Sequence, residues 1–511
     1  MKTKLLALLK NPNLYLILFC GALLAMSTRH VLSTNSIPHS LIILIIIALL
    51  YLGILWAFFY LRRKQVPLEK IFLLLAIPLG VLFIIFLPPG ESPDEIMHFK
   101  RAYSITEGYF IAETYDDFGH AGAKLPSGFQ TSLVETPEHG AYATVIERLS
   151  EPVSSETSYV PFNNTALYYW LSYLPQVIGV LFGKAVGASL ELIAYFAEIV
   201  DFIVWLVLIY FSIKLTPKFK QLLLFFSLLP ITLQEATSLA PDALAIGLGL
   251  FLTSYVCYLI YTRQTRLKPL EIALLYLVAI LVGYCKIVYL PLVALYLLIP
   301  AKRFGSPRAK WIHASILIIA LLVLNLSWLA TSSRFLVEFN AGVNPGEQLA
   351  GILHNPLRYL MVLFNSLNTM GEFYLTSLLG INLGSFTFNL PTIFFFLSFV
   401  LLVLLLAQRD EAIKITPFER LVFGGVFCLV ALLVFTSIYI QWSPVNLPFV
   451  DGVQGRYFLP IILLIPLTIA PYARSKSTAV SRPSLVSLNT IVCYSLTTNL
   501  LAVTMFFAQN L

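Results

Sequence analysis

The run SLIILIIIALLYLGILWAFFYLRRK, from Ser40 to Lys64, decides the fold. No charge interrupts it until Arg62, Arg63 and Lys64 close it. A helix needs about 20 apolar residues to cross the hydrocarbon core of a bilayer, and a basic end marks its cytoplasmic side. Runs of this kind recur throughout the 511 residues, of which 58% are hydrophobic and 12% charged. The charged share is about half that of a soluble domain, and the mean hydropathy is +0.84. These figures exclude an ordinary soluble protein, a disordered chain and a disulfide-rich secreted module. Outer-membrane barrels alternate in ~10-residue segments instead. The sequence therefore predicts an all-α polytopic membrane protein whose first partner is the lipid bilayer.

Working outward from that run, apolar stretches flanked by Lys and Arg predict about thirteen crossings. They fall near 12–28, 40–60, 69–88, 190–213, 220–236, 242–262, 270–284, 286–300, 311–331, 391–407, 419–440, 457–473 and 485–507. Basic ends such as Lys214, Lys218 and Lys220, Lys302 and Arg303, Arg409 and Lys414, and Arg474, Lys476 and Arg482 alternate consistently. The N-terminus is then cytoplasmic, behind Lys2 and Lys4 and an uncleaved first helix, and the C-terminus external. Residues 1–68 read as a two-helix hairpin and 69–511 as the core. The core carries an external loop at 89–189 and a second external region at 332–390. Within these, 165–187 reads as a helix at the outer interface, anchored by Tyr168, Tyr169, Trp170 and Tyr173. The stretch 359–379 reads as interfacial or re-entrant.

The net charge of +7 is unevenly spread. Residues 89–164 hold twelve acids, among them Asp116, Asp117, Glu135 and Glu138, against four bases, a balance of −8. The remainder is strongly basic, but its bases sit in short loops between apolar runs, so nucleic acid is not an expected partner. The five cysteines all lie inside apolar runs and form no CxxC pair; they read as small buried hydrophobes.

The groups able to do chemistry gather at the external ends of the runs. The loop opens PPGESPDEIMHFKRAY, Pro88 to Tyr103. Ser92 fits a helix N-cap and Pro93 the first turn, which puts Asp94 and Glu95 where a helix favours anions. Asp94, His98 and Arg101 then share one face: a base, an orienting group and an anion binder. The rival reading is a capped surface helix with ordinary charge pairs. In DGVQGRYFLP, Asp451 to Pro460, Arg456 can grip a phosphate, or snorkel to the headgroups as an interfacial anchor; Gln454 and Tyr457 flank it. Glu235 and Asp242 bracket a short external turn, where the rival reading of Asp242 is a cap for the following helix. Lys286 lies near the external end of a hairpin, as a functional intramembrane lysine or a snorkelling one. Glu191, Glu198 and Asp201 share a helix face, read as a cation path or as the polar outer end of that helix. The triplet Asn163-Asn164-Thr165 matches a glycosylation sequon by a frequent coincidence. There is no P-loop, GxGxxG, HExxH or CxxC motif.

Four stretches carry a resemblance. SPDEIMHFKRAYSITEGYF (Ser92 to Phe110), SLAPDAL (Ser238 to Leu244), KIVYLPL (Lys286 to Leu292) and GRYFLP (Gly455 to Pro460) are similar to a bacterial family of membrane proteins catalogued as domain of unknown function 2142. That family in turn resembles the GT-C superfamily of integral-membrane glycosyltransferases, in which the first external loop begins with an acidic motif. Here that motif corresponds to Asp94 and Glu95. The resemblance implies transfer of a sugar from a polyprenyl-phosphate donor, with inversion, to a cell-surface glycan or lipid-linked acceptor outside the inner membrane. It implies Asp94, Glu95 and His98 as catalytic residues, and Arg456, Lys286 and Arg101 around the donor phosphate. Glu235, Asp242, Gln454 and Tyr457 complete the candidates. A divalent cation, Mg or Mn, is optional in the superfamily. The rival functions are a transporter or flippase of a lipid-linked saccharide, with the Glu191, Glu198 and Asp201 face and Lys286 as its path, and a non-catalytic polysaccharide-assembly scaffold.

Overall fold

The computed structural model describes residues 12–114, 120–130, 141–337, 341–408, 413–469 and 485–511. Lys2, Lys4, Asp116, Asp117, Glu135, Glu138, Arg409, Arg474, Lys476 and Arg482, read above from the sequence, lie outside the described residues.

In chain order the α-helices are α1 (Pro12–Thr34), α2 (Ser40–Arg63), α3 (Leu68–Phe86), α4 (Glu95–Thr106), α5 (Ala141–Arg148), α6 (Leu174–Ala185), α7 (Leu190–Leu215), α8 (Lys220–Ser227), α9 (Pro230–Ala236), α10 (Asp242–Cys257), α11 (Pro269–Cys285), α12 (Pro307–Ser332), α13 (Pro345–His354), α14 (Pro356–Leu378), α15 (Thr392–Ala407), α16 (Pro417–Gln441), α17 (Leu464–Ile469) and α18 (Leu488–Asn510). Local chemistry sets their starts. Thr416 and Glu419 form a reciprocal capping box ahead of α16, with Pro417 at the first position, and Ser189 caps α7 through the Leu192 amide.

The protein is all-α and largely membrane-embedded. Eight helices among the described residues are long and apolar enough to cross a membrane: α1, α2, α3, α7, α10 extended to Thr262, α12 extended to Phe335, α16 and α18. This corrects the expected thirteen. The other five apolar runs are helical but short or broken. Pro230 divides the 220–236 run into α8 and α9. The helices α11 and α15 have 17 and 16 residues, about 25 Å at 1.5 Å per residue, under the ~30 Å core. Ile287–Leu298 is a 3₁₀ helix through Pro291. Gly455–Ile461 is another, through Pro460, followed by the six-residue α17.

At the centre stand α10 and α18. Every residue of α10 is buried, and most of α18 is. Helix α7 packs against α3, α6 and α10. It meets α6 closely, because Gly179 lies where an added Cβ would run into the backbone of Phe196 and Ala197. Helix α6 has 12 residues, about 18 Å, too short to cross. Above it the described parts of the 89–164 loop fold around a small core of Phe99, Tyr103, Leu125, Phe129 and Phe162. An antiparallel sheet of β1 (Glu113–Thr114), β2 (Ala121–Pro126) and β3 (Thr157–Pro161) closes that core, with Gly122 opposite both Glu113 and Pro161. A two-residue pair, β4 (Asn382–Leu383) and β5 (Phe388–Asn389), follows α14. Helix α14 is continuous over 23 residues, with Leu357, Leu360, Met361 and Phe364 exposed on one side and Tyr359, Val362 and Ser366 buried on the other.

Candidate active site

The site begins where α3 ends. The chain turns at Gly90, φ 103°, and again at Asp94, φ 62°. Aspartate is one of the few L residues that tolerates the left-handed region. Helix α4 therefore starts at Glu95, and Asp94, not Ser92, occupies the N-cap position. This corrects the expected start, and no side chain caps the helix. Asp94 instead holds its carboxylate exposed, accepting a hydrogen bond from Asn164 Nδ2 at 3.1 Å.

Glu95 turns inward. Its Oε2 accepts from the amides of Gly90 (2.9 Å) and Ser92 (3.1 Å), and its Oε1 from the amide of Leu239 (2.9 Å). Burial pushes the carboxyl up to about 7, and the three N–H donors pull the other way. One side chain thus ties the loop entrance to the turn before α10.

His98 and Arg101 part company. His98 Nδ1 lies 2.7 Å from Tyr173 Oη, and its ring meets Tyr168 edge-on at 5.3 Å. Burial pushes the imidazole down to about 3, against the pull of Asp242, so the ring is neutral near pH 7. Arg101 is fully buried and closes the chain after α4. It donates to the carbonyls of Tyr109 (2.7 Å) and Phe110 (2.8 Å) and to Ser104 Oγ (3.2 Å). Burial lowers its guanidinium to about 10, which leaves it charged at neutral pH.

Next to these lies a charge-balanced quartet drawn from distant parts of the chain. Arg456 Nη1 is 2.8 Å from Glu235 Oε1, and Arg456 Nε is 3.9 Å from Asp242 Oδ2. Lys286 Nζ pairs with Asp242 Oδ1. Asp242 lies in the first turn of α10 behind Pro241 and makes no capping bond, so its carboxylate serves the two cations. The ring of Tyr457 sits 4.8 Å from Lys286 Nζ and 5.6 Å from the Arg456 guanidinium. The Tyr457 carbonyl accepts from Tyr289 Oη at 2.9 Å. Gln454 Oε1 is buried without a hydrogen-bond partner among the described residues. Gly455 makes the placement feasible: a Cβ there would strike the backbone of Tyr374 and Leu378, and its amide donates to Ser377 Oγ at 2.9 Å.

A cavity of about 270 Å³ joins these parts. Asp94, His98, Asn164, Lys286 and Tyr457 line its polar end. The remaining walls mix aromatic and aliphatic side chains, among them Tyr169, Tyr284 and Trp328, Leu329 on α12 and Val434 and Ile438 on α16, with polar ones such as Asn325, Ser333 and Gln441. Tyr169 stacks on Tyr284 at 3.9 Å and meets Trp328 edge-on at 4.8 Å. Of the ten candidates, Asp94, His98, Lys286 and Tyr457 reach the cavity wall; Glu95, Arg101, Glu235, Asp242, Gln454 and Arg456 are outside the lining. Sequence reasoning missed Asn164, Tyr173, Tyr284 and Trp328. The sequon-like triplet and the aromatic cluster at 168–173 were the available signals for Asn164 and Tyr173.

Glu191, Glu198 and Asp201 are buried along α7. Asp201 Oδ2 accepts from Gln176 Nε2 at 2.9 Å, and Glu191 is 3.9 Å from Arg148. Glu198 Oε2 and Asp201 Oδ1 have no hydrogen-bond partner among the described residues. Among those residues no group of three or more His, Cys, Asp or Glu side chains is placed to hold a metal ion.

The family described as Predicted membrane protein (DUF2142) matches residues 77–465, a span that contains every candidate from Asp94 to Tyr457. No curated protein and no solved structure matches the chain.

Proposed function

This chain belongs to the DUF2142 family of predicted membrane proteins, and on that footing we propose that it is a GT-C-type glycosyltransferase. It would move a sugar from a polyprenyl-phosphate donor to a cell-surface glycan or lipid-linked acceptor, on the outer face of the bacterial inner membrane, with inversion. One observation carries the reading. An exposed carboxylate, Asp94, and an ammonium, Lys286, line the polar end of a cavity whose other walls include apolar side chains of two spanning helices, α12 and α16. That combination suits a lipid-borne phosphate ester.

In this reading the acceptor hydroxyl gives its proton to Asp94 as its oxygen attacks the anomeric carbon. The bond from that carbon to the phosphate oxygen breaks. Lys286 stabilises the charge that grows on the departing lipid phosphate. Arg456 is engaged by Glu235 and Asp242, so it positions Asp242, which in turn positions Lys286. Glu95 fixes the turn that presents Asp94, and neutral His98 orients Tyr173 beside it.

The test is complementation of a strain lacking the protein, with surface-glycan composition as readout and membrane levels matched. Wild type should restore a missing sugar, while Asp94→Asn and Lys286→Met should not. Full restoration by Asp94→Asn removes Asp94 as the base. The unpartnered buried oxygens of Glu198 and Asp201 favour the transporter as second reading. It requires Glu198→Gln to abolish restoration while Asp94→Asn keeps it.

A further inference from the structure

We infer that the end of the bundle opposite the cavity holds a site for the phosphate headgroup of an anionic lipid. Two basic loops meet there, 263–268 before α11 and 301–306 before α12, joined by a hydrogen bond from the Leu267 amide to the Arg303 carbonyl at 2.8 Å. Of their cations, Arg263 is matched by Glu271 at 3.1 Å. Arg303 is not matched. It is 2% exposed, yet it makes no ion pair among the described residues. Its Nε and Nη2 donate to two neutral oxygens, the Leu259 carbonyl and Gln264 Oε1, each at 3.3 Å. Its Nη1 is buried with no hydrogen-bond partner there. A buried guanidinium whose charge nothing cancels is costly, and an anion from outside removes that cost.

The surroundings suit a phosphate. Arg266, exposed, lays its guanidinium against Gly305, at the left-handed turn (φ 91°) two residues beyond Arg303; a Cβ at Gly305 would come within 2.9 Å of it. Lys302 stands next to Arg303 in the sequence. Guanidinium forks match phosphate oxygens bidentately. A lipid and free phosphate share this chemistry, but Leu270 and Trp311 are 80% and 57% exposed within the first two turns of the two adjoining helices. An acyl chain and an interfacial ring belong against such residues, which commits the site to a lipid.

The experiment titrates the purified full chain, in neutral-detergent micelles, with phosphatidylglycerol, phosphatidylcholine or inorganic phosphate, reading the thermal unfolding midpoint. Phosphatidylglycerol should raise the midpoint and the other two should not. The surface variant Arg266→Ala/Lys302→Ala should weaken the apparent phosphatidylglycerol affinity about 25-fold, from roughly fivefold per basic side chain. Arg303→Lys, which keeps the charge and loses the fork, should weaken it too. Undiminished affinity in the surface variant overturns the site. An equal shift from phosphatidylcholine overturns the requirement for net negative charge, and an equal shift from inorganic phosphate overturns the lipid as its source.

Discussion

Arg456 neutralises two carboxylates at once, Glu235 at 2.8 Å and Asp242 at 3.9 Å. Removing one partner of a buried pair strands the other, so Arg456→Gln should destabilise the fold by about 3–5 kcal/mol. Adding Glu235→Gln to the same chain should recover part of that loss, with a coupling of about 0.5–3 kcal/mol in a double-mutant cycle of unfolding midpoints. Strict additivity would mean that the two side chains do not interact. Glu95 makes a pH prediction. Burial raises its carboxyl from 4.5 to about 7, so the folded chain holds that proton more tightly than the unfolded one. The stability it contributes is full below about 4.5, falls as pH climbs through 7, and is level above. Glu95→Gln should flatten the melting-temperature profile between pH 4 and 8, and parallel profiles would clear Glu95 of the effect. The sequence identified the chemistry-bearing residue types, and four of them do reach one cavity wall. It did not reveal which way Glu95 and Arg101 point, because their partners are backbone amides and carbonyls, which side-chain spacing does not encode. The α4 start was missed because it depends on Asp94 adopting a left-handed backbone.

The helices show how far apolar composition reaches. Every run read as apolar is helical where it is described, yet five of the thirteen are too short or broken to span unaided. Proline alone does not separate the cases. Pro78 sits inside α3 without ending it, whereas Pro230 starts a new helix after a turn. In a bilayer, irregular backbone survives only where protein surrounds it, and α8 and α9 are almost wholly buried. That burial is a tertiary fact with no local signature. Glycine has a comparable hidden role at the α6–α7 contact. Gly179→Ala would press a methyl onto the α7 backbone at Ala197 and should destabilise by about 1–3 kcal/mol, read as a lower unfolding temperature in detergent. No change would mean that α6 can shift outward freely.

At the scale of the molecule, α11 separates two chemically different ends, with Lys286 at one and Arg266 and Lys268 at the other, about 25 Å apart over 17 residues. In a background with the exposed Cys428 replaced, Lys124→Cys should react with an impermeant maleimide on intact cells. Arg266→Cys should react only after permeabilisation. Labelling of both from one side would refute the orientation that the basic loops predict. The quartet also has a consequence for biosynthesis. Glu235 and its partner Arg456 are separated by 221 residues. At about 5–20 residues per second, the ribosome delivers the arginine roughly 10–45 s after the glutamate. Throughout that wait α9 carries an unmatched acid that lipid tolerates poorly. Release of α8 and α9 into the bilayer as they emerge would leave Glu235 there without its arginine. Retention by the insertion machinery, or packing of α9 against α7 and α10, would shield the acid until Arg456 has been made, and mutations that hasten release should send the nascent protein to quality-control proteolysis, read as a shorter half-life in a pulse-chase.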